Sequence, residues 1–438
     1  MAGAAPEWRN WAGDQRCAPA AVERPASAAD VAAAIGRARE RGRVVRVAGA
    51  GHSFNDAVAT DGTLLRLDRM RRVLDVDRAT GLVRVEAGIP LRELSDALWE
   101  HGLAFENLGD VDVQSIAGAT ATGTHGTGAR LRNLSAALDE VEVVGADGEL
   151  ASLTEAGDAD AWRAARVSLG ALGVVTSVTV RAVPAFTLEG VDSTAPLDEV
   201  LDGLDELADG NDHFELYAFP HTSVALTRTN NRVDAAPRSR SRAAAWVDDV
   251  LLRNYVFGLA CRAGRRSHRL IPHLNRLLAR ASGTTRRVDR SYRIFASPRR
   301  VRFTEMEHAI PRAQAATAVR AVLGAVERGG FAVPFPIEVR FVAPDDAHLS
   351  PAADRATCYV AVHMYRGMEW EPCFRAVEEI MDGLGGRPHW GKRHFQTAAT
   401  LAPRYPGWER FQAVRRRMDP DGVFANAYVR RVLGPAAG

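Results

Sequence analysis

The side chains best suited to chemistry stand in two loops of small residues and on one later strand. In "VRVAGAGHSFNDA", Val45 to Ala57, His52 follows Gly49 and Gly51 at the end of an apolar strand. In "SIAGATATGTHGTG", Ser115 to Gly128, almost every residue is Gly, Ala, Ser, Thr or His. Consecutive backbone N–H groups in such loops form a concave nest for an anion, and the missing bulk lets a phosphate come close. Two of them point to a dinucleotide gripped from both sides; the plainer reading is a pair of tight turns in a β-rich domain. The standard phosphate signatures do not fit. Phe54 stands where a Rossmann fingerprint needs its third glycine, and "GTHGTG" fails the same test. "GRPHWGKR" has Walker spacing, but Arg393 replaces the hydroxyl that must meet Mg²⁺, and a helical stretch precedes it. There is no HExxH, no cysteine ligand set and no GxSxG elbow, so no metal site is expected and serine hydrolysis has no motif. "PIEVRF" sets Glu338 and Arg340 two apart on a strand, hence on one face. Facing a cavity, this pair could orient a polyhydroxylated substrate; facing water, it is an ordinary surface ion pair.

The elements that must position these groups are short and mixed. "RPASAADVAAAIGRARERGR" reads as an amphipathic helix, opened by the Ser27-x-x-Asp30 capping pattern and closed at Gly42. "VVRVAGAG" and "GTLLRLDRM" read as strands, "VLDVDRATGLVRVEAG" as a hairpin and "LRELSDALWEHG" as a helix. "EVEVVGADGEL" and "SLGALGVVTSVTVRAV" add further strands, ending at Pro184. Beyond it the composition shifts. The segment 253–303 is rich in arginine and nearly free of acid, with Leu and Ile at helical spacing, which reads as a solvated helix face or a membrane-surface patch. "FPIEVRFVAPDD", taken with its charges outward, and "CYVAVHMY" read as late strands.

A chain of 438 residues suits two domains. A formal charge of +2 gives no global drive toward nucleic acid, so no such partner is expected. Cys17, Cys261, Cys358 and Cys373 are far apart, as befits reduced thiols in a cytoplasmic protein. Neither a signal-peptide pattern at the N-terminus nor an apolar run long enough to span a membrane occurs.

Taken in order, "GAGHSF", "AGATATGTHGTG", "SLGALGVVTSV", "FPIEVRF", "RPHWGK" and "FANAYVRRVLG" resemble the aldonolactone oxidoreductases of the vanillyl-alcohol oxidase type of FAD flavoproteins. The resemblance covers nearly the whole chain. It implies an α+β fold: a two-subdomain FAD-binding domain of the PCMH type over 1–185, an α+β substrate or cap domain over 186–400, and a C-terminal segment, 401–438, returning to the flavin. It implies FAD bonded through its 8α-methyl to His52. Val47, Ala48, Gly49, Ala50, Gly51 and Ser53 would wrap the phosphates, and Ser115, Gly118, Thr122, Gly123, Thr124 and His125 would supply the second grip. Val175 matches a position whose backbone meets the adenine portion, and His389 one beside the flavin ring.

For chemistry the resemblance implies Glu338, Arg340 and Lys392 as catalytic residues. The activity would be oxidation of an aldono-1,4-lactone, of the L-gulono or D-arabinono type, to ascorbate or an analogue. Hydride would pass to flavin N5, with O2 or an electron carrier as acceptor. The alternative is an alditol oxidase releasing hydrogen peroxide. Alditol oxidase has serine at the place of Asp110 and threonine at that of Tyr365, which favours a lactone pocket here. Gly109 falls where residue size influences dioxygen access, and glycine leaves that path open. The arginine-rich 253–303 would account for a peripheral membrane contact.

Overall fold

The computed structural model describes residues 7–238 and 255–435. The first six residues and positions 253–254 of the arginine-rich segment lie outside this description. Near the N-terminus three parallel strands pair in the order Ala21–Glu23, Thr63–Arg66, Val45–Ala48. The helix Ala28–Glu40 buries Val31, Ala34, Ile35 and Ala38, the stripe expected from its period. Its start is capped as the sequence pattern predicts: Ser27 Oγ accepts from Asp30 N at 3.1 Å, and Asp30 accepts from Ala26 N at 3.0 Å.

A second layer is an antiparallel sheet in the order Leu150–Thr154, Leu138–Val144, Val174–Arg181, Leu82–Glu86, Val73–Asp77. Its last two strands are the expected hairpin. Strand Val45–Ala48 runs straight into the loop of His52, and Arg46 fixes that exit. Fully buried, it donates to the carbonyls of Ala57, Leu169, Gly170 and Phe424 at 2.7–3.1 Å, so four backbone oxygens replace its lost water.

The larger sheet has eight strands, all antiparallel, in the order Thr285–Arg290, Thr187–Pro196, Val224–Val233, His213–Ala218, Ile337–Val342, Thr357–Tyr365, Phe303–Pro311, Arg387–Pro388. On one face Phe214, Leu216, Met306, Ile337, Val339, Val360 and Val362 form a core with helices Ala315–Arg328 and Glu371–Gly383. The alternate residues of the same strands, Glu215, Tyr217, Glu305, Glu307, Glu338, Arg340 and His363, take the opposite face and are buried as well. This corrects the reading of "PIEVRF" as a strand with outward charges: its charged face is interior, because another wall closes over it.

The helices Trp408–Met418 and Ala427–Leu433 carry Phe411, Val414, Tyr428 and Val432 into the core that holds Val83, Leu94, Leu138 and Val178. Trp390 and Leu349 join that same core, so residues from the middle of the chain also reach the N-terminal domain.

Candidate active site

Two cavities meet at His52. The narrower, about 240 Å³, is walled by Val47 to Ser53, Ser115, Gly118, Thr122 and Val175. The wider, about 510 Å³, is walled by Thr122, Thr124, His125, His389, Lys392, Glu338 and Arg340. His52, Ser53, Gln114 and Thr122 border both. The structure thus gathers the residues singled out in the sequence around one bent space. Among the residues expected to hold the cofactor, Gly123 borders neither cavity: in a left-handed turn, φ +74°, it packs toward Pro351.

The narrow arm depends on missing side chains. A Cβ on Gly49 would lie 2.6 Å from Ser115 Oγ, the oxygen that accepts from Gly118 N at 3.3 Å. Ser115 caps the short helix Ile116–Ala121, and we expect Gly49→Ala to break that cap, worth about 1 kcal/mol, and to narrow the arm. The flavin-to-protein absorbance ratio of the purified variant should fall about fivefold or more with unchanged far-UV circular dichroism.

His52 stacks on Trp11, ring centroids 5.0 Å apart. Burial, helped by the charge of Lys392, pulls its pKa down to about 4, so the imidazole is neutral and keeps a free lone pair. His125 is held on both sides, with Nδ1 against Gly126 O at 2.8 Å and Nε2 against Glu307 at 3.1 Å, under the stacked ring of Tyr359. His389 Nδ1 accepts from Gly391 N at 3.0 Å, which leaves the proton on Nε2.

The floor of the wide cavity is the ionisable face of the eight-stranded sheet. Strand register sets Glu215 opposite Arg340, Tyr217 opposite Glu338 and Glu305 opposite His363. Arg340 serves three carboxyls at once: Glu338 in direct contact, Asp110 at 3.2 Å and Glu215 at 3.7 Å. Asp110 also binds Arg299, and although burial opposes its charge, these two guanidiniums hold it well below the usual carboxylate range. Glu338 is left short of positive charge. Burial pushes its pKa up to about 8, with Arg340 opposing and Asp110 adding to the rise. Arg340 Nε and Nη2 and Glu338 Oε1, although within ion-pair range, make no well-aligned hydrogen bond within the protein. Lys392 Nζ lies 2.5 Å from Glu305 and 3.9 Å from Glu307. Burial raises Glu305 to about 7, while His125 and Lys392 overcome burial to keep Glu307 ionised.

Glu215, Tyr217, Arg299, Glu305, Glu307 and His363 went unnoticed in the sequence. The signal existed in "FTEMEHAIP" and "HFELYA", where acids alternate with apolar residues as they do in "PIEVRF". Alone, that alternation fits a solvated sheet face equally well. Tyr365, expected at the pocket, is not among the wall residues; it lies under Arg265, and His363 on the same strand borders the cavity instead.

An FAD-binding domain matches residues 19–154. The fold is also that of cholesterol oxidase from Brevibacterium sterolicum, with a TM-score of 0.80 at 18% identity over 98% of this chain and 96% of that one. Together these define an FAD-binding protein on the PCMH-type α+β fold. The D-arabinono-1,4-lactone oxidase family matches residues 178–432. The chain is 53% identical to L-gulono-1,4-lactone dehydrogenase of Mycobacterium tuberculosis over 98% of this chain and 100% of that protein. It is 33% identical to mouse L-gulonolactone oxidase over 98% of each. The chain therefore belongs to the D-arabinono-1,4-lactone oxidase family, and it is an enzyme acting on CH–OH groups.

Proposed function

We propose that the protein oxidises an aldono-1,4-lactone of the L-gulono or D-arabinono type to ascorbate or an analogue, using FAD bonded to His52. The observation that carries this reading is the placing of Glu338, Arg340 and Lys392 together in the wall of the cavity bordered by His52. Side by side in that wall, Glu338 and Arg340 set a carboxyl and a guanidinium against a polyhydroxylated molecule. When bound, FAD supplies the hydride acceptor at N5.

The protein's own residues supply the rest. Val47 to Ser53 with Ser115, Gly118 and Thr122, all in the wall of the narrow arm, would hold the pyrophosphate, and Val175 would lie toward the adenine portion. His52, neutral and stacked on Trp11, presents a ring nitrogen for the bond to the 8α carbon. Arg340 and Lys392 stabilise negative charge on the substrate oxygen as its proton leaves. Glu338 accepts that proton. Glu305 and Glu307 keep Lys392 charged in the cavity wall, and His389 borders the same cavity.

A base must be deprotonated to act. With Glu338 at about 8, the competent fraction grows about tenfold per pH unit below that value and levels off above it. Stopped-flow reduction of the enzyme's flavin by lactone is expected to rise with pH and plateau above about 8, and Glu338→Gln to flatten the profile at a low rate. The function itself is tested by adding L-gulono-1,4-lactone, D-arabinono-1,4-lactone or a linear alditol under anaerobic conditions. Bleaching of the flavin by a lactone and not by the alditol is the expected result; bleaching by the alditol alone would move the assignment to sugar-alcohol oxidation. Comparing reoxidation by O2 and by a dye then identifies the class of acceptor.

A further inference from the structure

We propose that the helices Phe257–Arg266 and Ile271–Ala281 of the substrate domain form a docking surface for an anionic lipid bilayer. Five of the eight large apolar side chains exposed among the described residues fall in this short stretch: Tyr255, Val256, Leu259, Leu270 and Leu277, the last 63% exposed. Between residues 255 and 283 there are six arginines and no Asp or Glu.

The two helices pack against each other, and each buries one side and exposes the other. Gly258, Cys261 and Gly264 bury the first helix, and Gly264 is placed where a Cβ would meet Ile271 Cγ1 at 2.9 Å. Ile271, Asn275 and Ala279, spaced four apart, bury the second, and Asn275 Nδ2 anchors it by donating to the carbonyls of Val333 at 3.1 Å and Pro220 at 3.3 Å. Opposite these anchors stand Leu259, Arg262 and Arg266 on one helix and His273, Leu277 and Arg280 on the other, all exposed. Leucines flanked by arginines on a rigid face are what an interfacial helix needs: apolar side chains for the acyl boundary and cations for the headgroups. Among the described residues no helix is long and apolar enough to cross a membrane, so this contact is peripheral. Val256, Phe257 and Leu278 of the same segment wall the wider cavity, which sets its apolar end close to the docked bilayer.

The test is co-sedimentation of the full-length protein with vesicles of phosphatidylcholine alone or with a quarter phosphatidylglycerol. Binding is expected only to the anionic vesicles and is expected to fade as salt shortens the screening length. Arg262→Gln, Arg266→Gln and Arg269→Gln together should weaken partitioning about a hundredfold, at about one kcal/mol per basic side chain. Leu259→Asp with Leu277→Asp should abolish it and leave flavin reduction by dissolved lactone unchanged. This outcome is independent of the substrate assignment, because vesicle binding needs no turnover. Absence of binding to anionic vesicles, or binding untouched by the leucine variant, overturns the proposal. So does a wild-type dimer that becomes monomeric in the leucine variant, since that would make the face a contact between copies of this chain.

Discussion

Arg340→Ala is expected to slow flavin reduction by lactone about 10²- to 10³-fold, the cost of one preorganised donor to a developing oxyanion in a site shielded from water. The geometry makes this the most exposed point of the machinery. Arg340 is the shared partner of Glu338, Asp110 and Glu215; it is buried with Glu338 and Glu215, and Asp110 is half-buried. Its removal also strands carboxyls, and breaking a buried pair of this kind typically costs about 3–5 kcal/mol. The variant's melting temperature should therefore drop together with its rate. Two measurements separate catalysis from folding. Added guanidinium ion should restore part of the rate at a temperature where the variant is folded. Arg340→Lys should keep most of the stability while remaining slow, because a point charge cannot reproduce the two-pronged fork. A folded Arg340→Ala enzyme that is reduced at the normal rate would remove this residue from the mechanism.

His52→Ala is expected to abolish covalent flavin altogether. After acid denaturation and electrophoresis, the wild-type band should fluoresce yellow, whereas the variant's fluorescence should run free of the polypeptide. The rest of the cradle is untouched, since Val47 to Gly51, Ser53, Ser115, Ala117, Gly118, Ala121 and Thr122 also border the narrow arm. The variant should thus still take up FAD reversibly. Its flavin should also be a weaker oxidant, because the electron-withdrawing imidazole substituent on the ring is gone. Reduction by lactone should be about tenfold slower, a loss of about 1.4 kcal/mol in the barrier. Fluorescence that stays with the chain in His52→Ala would assign the linkage to another residue.

Several features were legible because their causes lie within a few residues of each other. Ser27 and Asp30 announce a capped helix start, and the structure closes that cap. Small residues allow turns and close approaches that bulkier chains cannot, and both stretches border the two cavities that meet at His52, although the second, read as a loop, begins as the short helix Ile116–Ala121. The period of two in "PIEVRF" puts Glu338 and Arg340 on one face in any strand. The same rule applies to Glu305 and Glu307, yet it could not rank them: alternation says that two side chains share a face and nothing about what covers that face.

The sequence by itself therefore determined most of the elements, the loop that carries His52 and, through the ordered motifs, the family. Tertiary structure alone decided that the charged face of the sheet is interior and that Arg340 is shared by three carboxyls. It also brought His363 beside Glu305 and put Tyr365 away from the cavity. The physical reason is the same in each case. Burial and Coulomb interaction depend on distances across the sheet order His213–Ala218, Ile337–Val342, Thr357–Tyr365, Phe303–Pro311. Those strands are far apart in the chain, and only their pairing converts scattered acids and bases into one site with shifted pKa values.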